Sequence, residues 1–172
     1  MRTPILLLAL GGILFGDTVA GLKFTPPAGW KSEAPRPMRA ATYVLPPVGK
    51  DIDHAECVVY FFGPGQGGSV EANLERWKGQ YQVNGKPAQA TINKSKVHSL
   101  PVTTLETGGE YSGMGGPTAT EKSLKSGYHL LAAIIEGPGG NVFIKFTGPA
   151  KTVAANRANF EKLVASFEPA GK

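Results

Sequence analysis

Residues 55–63 read AECVVYFFG, a run that is β-branched or aromatic on both of its alternating faces. A strand that is apolar on both sides needs cover on both sides, so this segment requires one layer of structure above it and another below. Further strand-like runs surround it. RAATYVL (Arg39 to Leu45) stops at Pro46-Pro47, and others follow at 88–97, 101–111, 128–136 and 141–147. Gly137-Pro138-Gly139-Gly140 joins the last two and reads as the turn of an antiparallel hairpin. Upstream, LKFTPPAGW (Leu22 to Trp30) is a short extended piece ending in a Pro-Pro-Ala-Gly turn.

Two segments carry the helical period instead. In SVEANLERWKGQY, Val70, Leu74, Trp77 and Tyr81 fall on one stripe, behind Ser69 as N-cap and Glu71 in the first turn. In VAANRANFEKLVASF, Val153, Phe160, Leu163, Val164 and Phe167 make a second stripe, with Pro169 and Gly171 as stop signals. Stripes of this kind are read as core. A chain of 172 residues suits one domain. Its 23 glycines and 14 prolines make it turn-rich without making it low-complexity. The simplest assembly is an α+β domain: one curved antiparallel sheet of about six strands with helices packed on its faces.

The N-terminus has a different character. In MRTPILLLALGGILFGDTVA, Arg2 is a basic start, 5–15 are apolar, and Thr18 and Ala20 are small residues at −3 and −1 of a cut before Gly21. This is the layout of a secretory signal peptide over 1–20, with a single domain over 21–172 and a periplasmic or extracellular destination. The apolar stretch is too short for a spanning helix, so no integral membrane segment is expected after cleavage. Gly21 follows the cut where a lipoprotein needs cysteine. The one cysteine, Cys57, lies inside the central strand and reads as a small buried hydrophobe.

The formal charge is +5. The basic residues are scattered, with no run of five and no nucleic-acid motif, so weak attraction to anionic envelope surfaces is the inference and nucleic acid is not a partner.

Three constellations bear on chemistry. The loop GPGQGGS, Gly63 to Ser69, runs from the central strand into a helix, the arrangement that cradles anions. It lacks the lysine of a nucleotide-binding loop, so only the amides of Gly67, Gly68 and Ser69 are candidates, for a small anion or a ligand carboxylate. The bland reading is a tight strand-to-helix turn. Second, DIDHAE gathers Asp51, Asp53, His54 and Glu56, oxygen and imidazole donors for a divalent ion, without the spacing of any defined metal loop. The bland reading is a solvated turn. Third, a nucleophile–base pair is hard to find. Cys57 and His54, three apart on a strand, point to opposite faces, and neither His98 nor His129 has a partner in sequence. No catalytic residue and no cofactor are named, and the chain is read as a non-enzyme.

The opening FTPPAGW, the central AECVVYFFG, the capped helix with Trp77, the late pair GYHLLAAIIEGPGGNVFIKFTG and the ending FEKLVASFEP, in this order, resemble the PsbP-like domains. This family includes extrinsic proteins of photosystem II, a Ran-binding eukaryotic branch and many exported bacterial proteins. The resemblance runs from Leu22 onward and is nearest to an exported bacterial subgroup of unknown role. It implies an α/β/α sandwich and a binding or assembly role, without catalysis. The expectation is therefore an exported accessory or binding domain with an unidentified protein partner in the cell envelope. The rivals are an enzyme and a small-ligand, anion or metal carrier using the Gly63–Ser69 loop and the loop from Ser112 to Gly127. A carrier would show an apolar pocket with a few converging polar groups. A partner-binding module would show a broad exposed apolar patch.

Overall fold

The computed structural model describes residues 17–113 and 124–171. The main sheet is antiparallel and has eight strands. Its order is β3 (Arg39–Leu45), β4 (Ala55–Tyr60), β10 (Gly140–Pro149), β9 (Lys125–Gly137), β8 (Leu100–Tyr111), β5 (Tyr81–Val83) and β6 (Lys86–Pro87), with β7 (Ala90–Val97) also pairing with β8. The expected count of about six strands is corrected by β5 and β6. Gly79 closes α1 (Val70–Lys78), so Tyr81 leaves the helix and pairs with Tyr111 of β8. Asn84 and Gly85, at φ 51° and 71°, then turn the chain back on itself. Positive φ at both central residues is the geometry of a two-residue hairpin, and Asn-Gly adopts it at little expense. The predicted hairpin at Gly137 to Gly140 is present, with Gly137 opposite Gly140.

A second, three-stranded sheet is formed by β1 (Asp17–Val19), β2 (Leu22–Phe24) and β11 (Glu168–Pro169). Asp17 to Val19, which the sequence assigns to the leader, thus pair with the start of the domain, and the side chain of Val19 is buried. Residues 1–16 of the predicted signal peptide lie outside the described residues, as do 114–123 of the loop between Ser112 and Gly127.

Alternation along the strands divides the interior in two. Cys57, Val59, Leu131, Ala133, Ile144 and Phe146 face α2 (Ala150–Ala155) and α3 (Arg157–Ala165), with the small sheet beside them. The second amphipathic stripe is broken at Asn156, which separates α2 from α3, and Asn156 Nδ2 donates to the Thr152 carbonyl at 2.9 Å. Leu105, Leu130, Ala132, Ile134 and Phe143 face α1. The doubly apolar central strand is covered as its sequence demands, Val59 on one side and Val58 on the other, both buried. Among the described residues no helix is long and apolar enough to cross a membrane.

Candidate functional site

Helix α1 is held at its start by the glycine loop. Ser69 Oγ accepts from the Ala72 amide at 3.1 Å, and Asn73 Nδ2 donates at 2.8 Å to the carbonyls of both Gly67 and Ser69. Gly67 sits at φ 90°, and a Cβ there would lie 2.7 Å from ring atoms of both Phe143 and Phe62. The residue is glycine because the backbone rests directly on two aromatic rings, in a conformation that side chains disfavour. This fixes Trp77, one helical face along, edge-on to Phe143 with 6.4 Å between ring centroids.

Nine residues of helix do not cover the whole face. Beside α1, Tyr60 and Phe62 stay half-buried and stack on one another at 5.8 Å with an interplanar angle of 8°. A cleft of about 290 Å³ opens there, walled by Tyr60, Phe62, Trp77 and Phe143. Its polar lining is Arg76, Gln80 and Lys145.

Lys145 is the unusual member. It lies on β10 between Val58 of β4 and Ala132 of β9, near the middle of the sheet, and only 8% of it is exposed. Its Nζ donates to Gln80 Oε1 at 2.8 Å and stands 5.8 Å from the Trp77 ring centroid. Among the described residues it has no carboxylate partner. Burial pulls the ammonium down to about 8, and the Arg76 guanidinium pulls in the same direction. A lysine ammonium withdrawn from water without a counter-ion is unfavourable, so a fold that retains one has a local conflict at that position. Arg76, exposed on α1, donates to Asn73 Oδ1 and likewise meets no carboxylate.

Tyr60 and Lys145 also wall a second cleft of about 190 Å³ on the same face. There Arg39 bridges Glu56 at 2.8 Å. Tyr111 stacks on Tyr128 at 5.7 Å, and Tyr128 Oη donates to Asp53 at 2.6 Å. With Lys125 Nζ donating to the same carboxylate at 3.0 Å, Asp53 is held below its ordinary range, by the Tyr128 bond first and by Lys125 second.

The residues singled out from sequence fall as follows. Gly67 and Ser69 spend their carbonyls and the Ser69 hydroxyl on Asn73 and Ala72, and build the wall under α1. Gly68 lies at φ 83° beside the Asn73 amide. The acidic segment does not converge. Asp51 Oδ2 accepts from the Thr152 amide at 2.9 Å and hydroxyl at 2.8 Å, capping the first turn of α2. Asp53 is taken by Tyr128 and Lys125, Glu56 by Arg39, and His54 is exposed. Among the described residues no three His, Cys, Asp or Glu side chains are placed to share a metal ion. Cys57 is fully buried, and desolvation pushes its thiol far up. His129 bonds Glu106 at 2.7 Å, where Arg157 also pairs, and His98 Nδ1 contacts the Phe167 carbonyl at 3.0 Å.

Sequence reasoning missed Lys145 and Arg76 as a pair, and took Trp77 for core alone. One signal was there: in VFIKFTG a charge interrupts an apolar strand at a position whose neighbours are all buried.

No protein-family model matches the chain, and no curated protein matches it. Solved structures do. The architecture, an antiparallel sheet between α1 and the α2–α3 pair, is the PsbP-like fold. One neighbour is the solution structure of cyanobacterial PsbP (CyanoP) from Synechocystis sp. PCC 6803. It has a TM-score of 0.54 at 14% identity, over 97% of this chain and 99% of that one. Another is PA94 from Pseudomonas aeruginosa, a protein of unknown function suggested to be a regulator. It has a TM-score of 0.54 at 13% identity, over 94% of this chain and all of that one. At these identities the likeness establishes the fold.

Proposed function

We propose that the protein is an exported, non-catalytic binding module that holds a small ligand in the cleft beside α1. The observation that carries this reading is the cleft itself: four aromatic walls, with Lys145 buried at the floor and Arg76 at the mouth. An apolar concavity with a few converging polar groups is what distinguishes a ligand site from a docking face. Of the large exposed apolar side chains, Val48 and Ile52 share the connection between β3 and β4, whereas Met38, Val83 and Ile92 lie on three other segments, which favours ligand over protein partner. The glycine loop contributes by seating α1 on Phe143 and Phe62. The non-catalytic part rests on Cys57 being buried and on His98 and His129 being engaged elsewhere, with the exposed His54 outside the lining of this cleft.

Ligand-observed NMR on the purified protein with a fragment collection tests the reading. The expected result is a set of hits whose amide shifts map to Tyr60, Phe62, Trp77 and Phe143, each recovered chemically unchanged. Hits scattered over the surface, or none, would overturn it.

A further inference from the structure

Resting on the ligand-binding reading above, we infer that the cleft beside α1 is specific for a compact monoanion, a carboxylate carried on a flat apolar body. Lys145 would meet the carboxylate at the floor and Arg76 at the mouth.

Charge decides the class. Among the described residues the cleft is lined by two cations, Lys145 and Arg76, and by no acid. A neutral ligand would seal Lys145 under an apolar body and leave its ammonium with Gln80 as its one hydrogen-bond partner. A cation or metal ion would be repelled from both ends. An anion completes the arrangement, because a charge-assisted bond in a low-dielectric site is stronger than the same bond in water. Burial first and Arg76 second hold Lys145 down to about 8, a direction that a negative charge beside the ammonium would oppose.

Stoichiometry and shape narrow it. One buried ammonium is matched by one negative charge; a phosphate dianion would carry a second charge into a wall of rings. Arg76 is exposed and already donates to Asn73, so it screens the entrance. The stacked Tyr60 and Phe62 rings and the Trp77 and Phe143 rings present flat faces and edges, to which a planar body fits by offset or edge-on packing. A volume of about 290 Å³ is at the small end of ligand pockets, which run from about 300 to 1,000 Å³, and admits a single ring system.

The test titrates the full chain, followed by calorimetry and amide shifts, with four probes: benzoate, indole-3-acetate, neutral benzamide and inorganic phosphate. The inference expects the two carboxylates to bind at least tenfold more tightly than benzamide or phosphate. It also expects Lys145→Met to remove that preference, so that in the variant the carboxylates bind no more tightly than benzamide does. Arg76→Gln, on the exposed face of α1 and safe for folding, should weaken the carboxylates alone, and more at low salt than at high salt. Equal binding of benzoate and benzamide would overturn the anion inference and leave the ligand-binding reading standing. Phosphate binding as tightly as benzoate would overturn the flat-bodied carboxylate. Carboxylate binding unaffected by Lys145→Met would place the anion elsewhere. Binding of no probe would overturn the inference, and the fragment screen would then decide the broader reading alone.

Discussion

If Lys145 is a buried ammonium awaiting an anion, then removing it changes the pH profile of stability in a calculable way. Its folded value is about 8 against an ordinary 10.5. At about 1.4 kcal/mol for each pH unit, the folded state is penalised by about 3 kcal/mol wherever both forms are protonated, which is below pH 8. Between pH 8 and 10.5 the unfolded chain still holds the proton and the native chain has released it. The unfolded state binds more protons there, so stability rises with pH. Lys145→Met removes this rise. It also removes the Gln80 hydrogen bond and the ring contact with Trp77, together about 1–3 kcal/mol, so the absolute stabilities of the two proteins at pH 7 can be close. The quantity to measure is the difference between the two proteins in urea unfolding at pH 7, 8, 9 and 10. It should move by about 2–3 kcal/mol in favour of the native chain across that range. Other titrations act on both proteins alike and cancel in the difference. Lys125 is raised by its bonds to Asp53 and Tyr128, and burial raises Tyr60 and Tyr111. Parallel curves would refute the picture of a charged, unpartnered Lys145. Carboxylate affinity runs the opposite way: it is greatest below about pH 8, where Lys145 of the free protein is protonated, and falls as pH rises from there to the ligand-raised value.

Three further outcomes are expected. Gly67→Ala forces a methyl onto Phe143 and Phe62 at a φ of 90°, and should destabilise the protein by about 2–4 kcal/mol in chemical unfolding while weakening any ligand of the cleft. A Cβ at Gly139 would overlap the Ala20 backbone, so Gly139→Ala should destabilise a chain beginning at Asp17 by about 1–3 kcal/mol and leave a chain beginning at Gly21 nearly unaffected. The same substitution in exported protein, read together with its N-terminal residue by mass spectrometry, reports whether β1 survives processing. Cys57, fully buried with its thiol pushed up, should resist a maleimide in the native protein and react at once in denaturant; native labelling on the minute scale would contradict the described packing.

Much of the architecture was legible because burial writes a period into the chain. Val58 and Val59, on opposite faces of β4, are both buried, and the apolar run of the sequence says so directly. The Leu74 and Trp77 stripe is likewise the face that α1 lays on the sheet. What was not legible has specific causes. Tyr81 sits at helical spacing from Trp77, and the period cannot tell that Gly79 has ended the helix; the Asn84-Gly85 pair was the stronger local signal, and it adds the two strands that raise the count. The acidic residues look like a ligand set because they are close in sequence. They come apart because each finds its partner on a different element: Asp51 on α2, Asp53 on β9 and Glu56 on β3.

The cleft was hidden for a related reason: its residues come from α1, β4 and β10, and no single window contains them. Yet one local departure marks it. Strand β10 is apolar at Val142, Phe143, Ile144 and Phe146, and charged at Lys145. A well-packed strand with no other role would carry an apolar residue there, since Val58 and Ala132 on either side offer no polar partner. The sheet registers then place this lysine under the gap between α1 and the Tyr60–Phe62 stack. Function in this protein is therefore sought where local burial logic is broken and, among the described residues, no carboxylate answers the buried charge. The histidines and the acidic turn do not meet that standard, because each of their bonded members already has its partner within the chain.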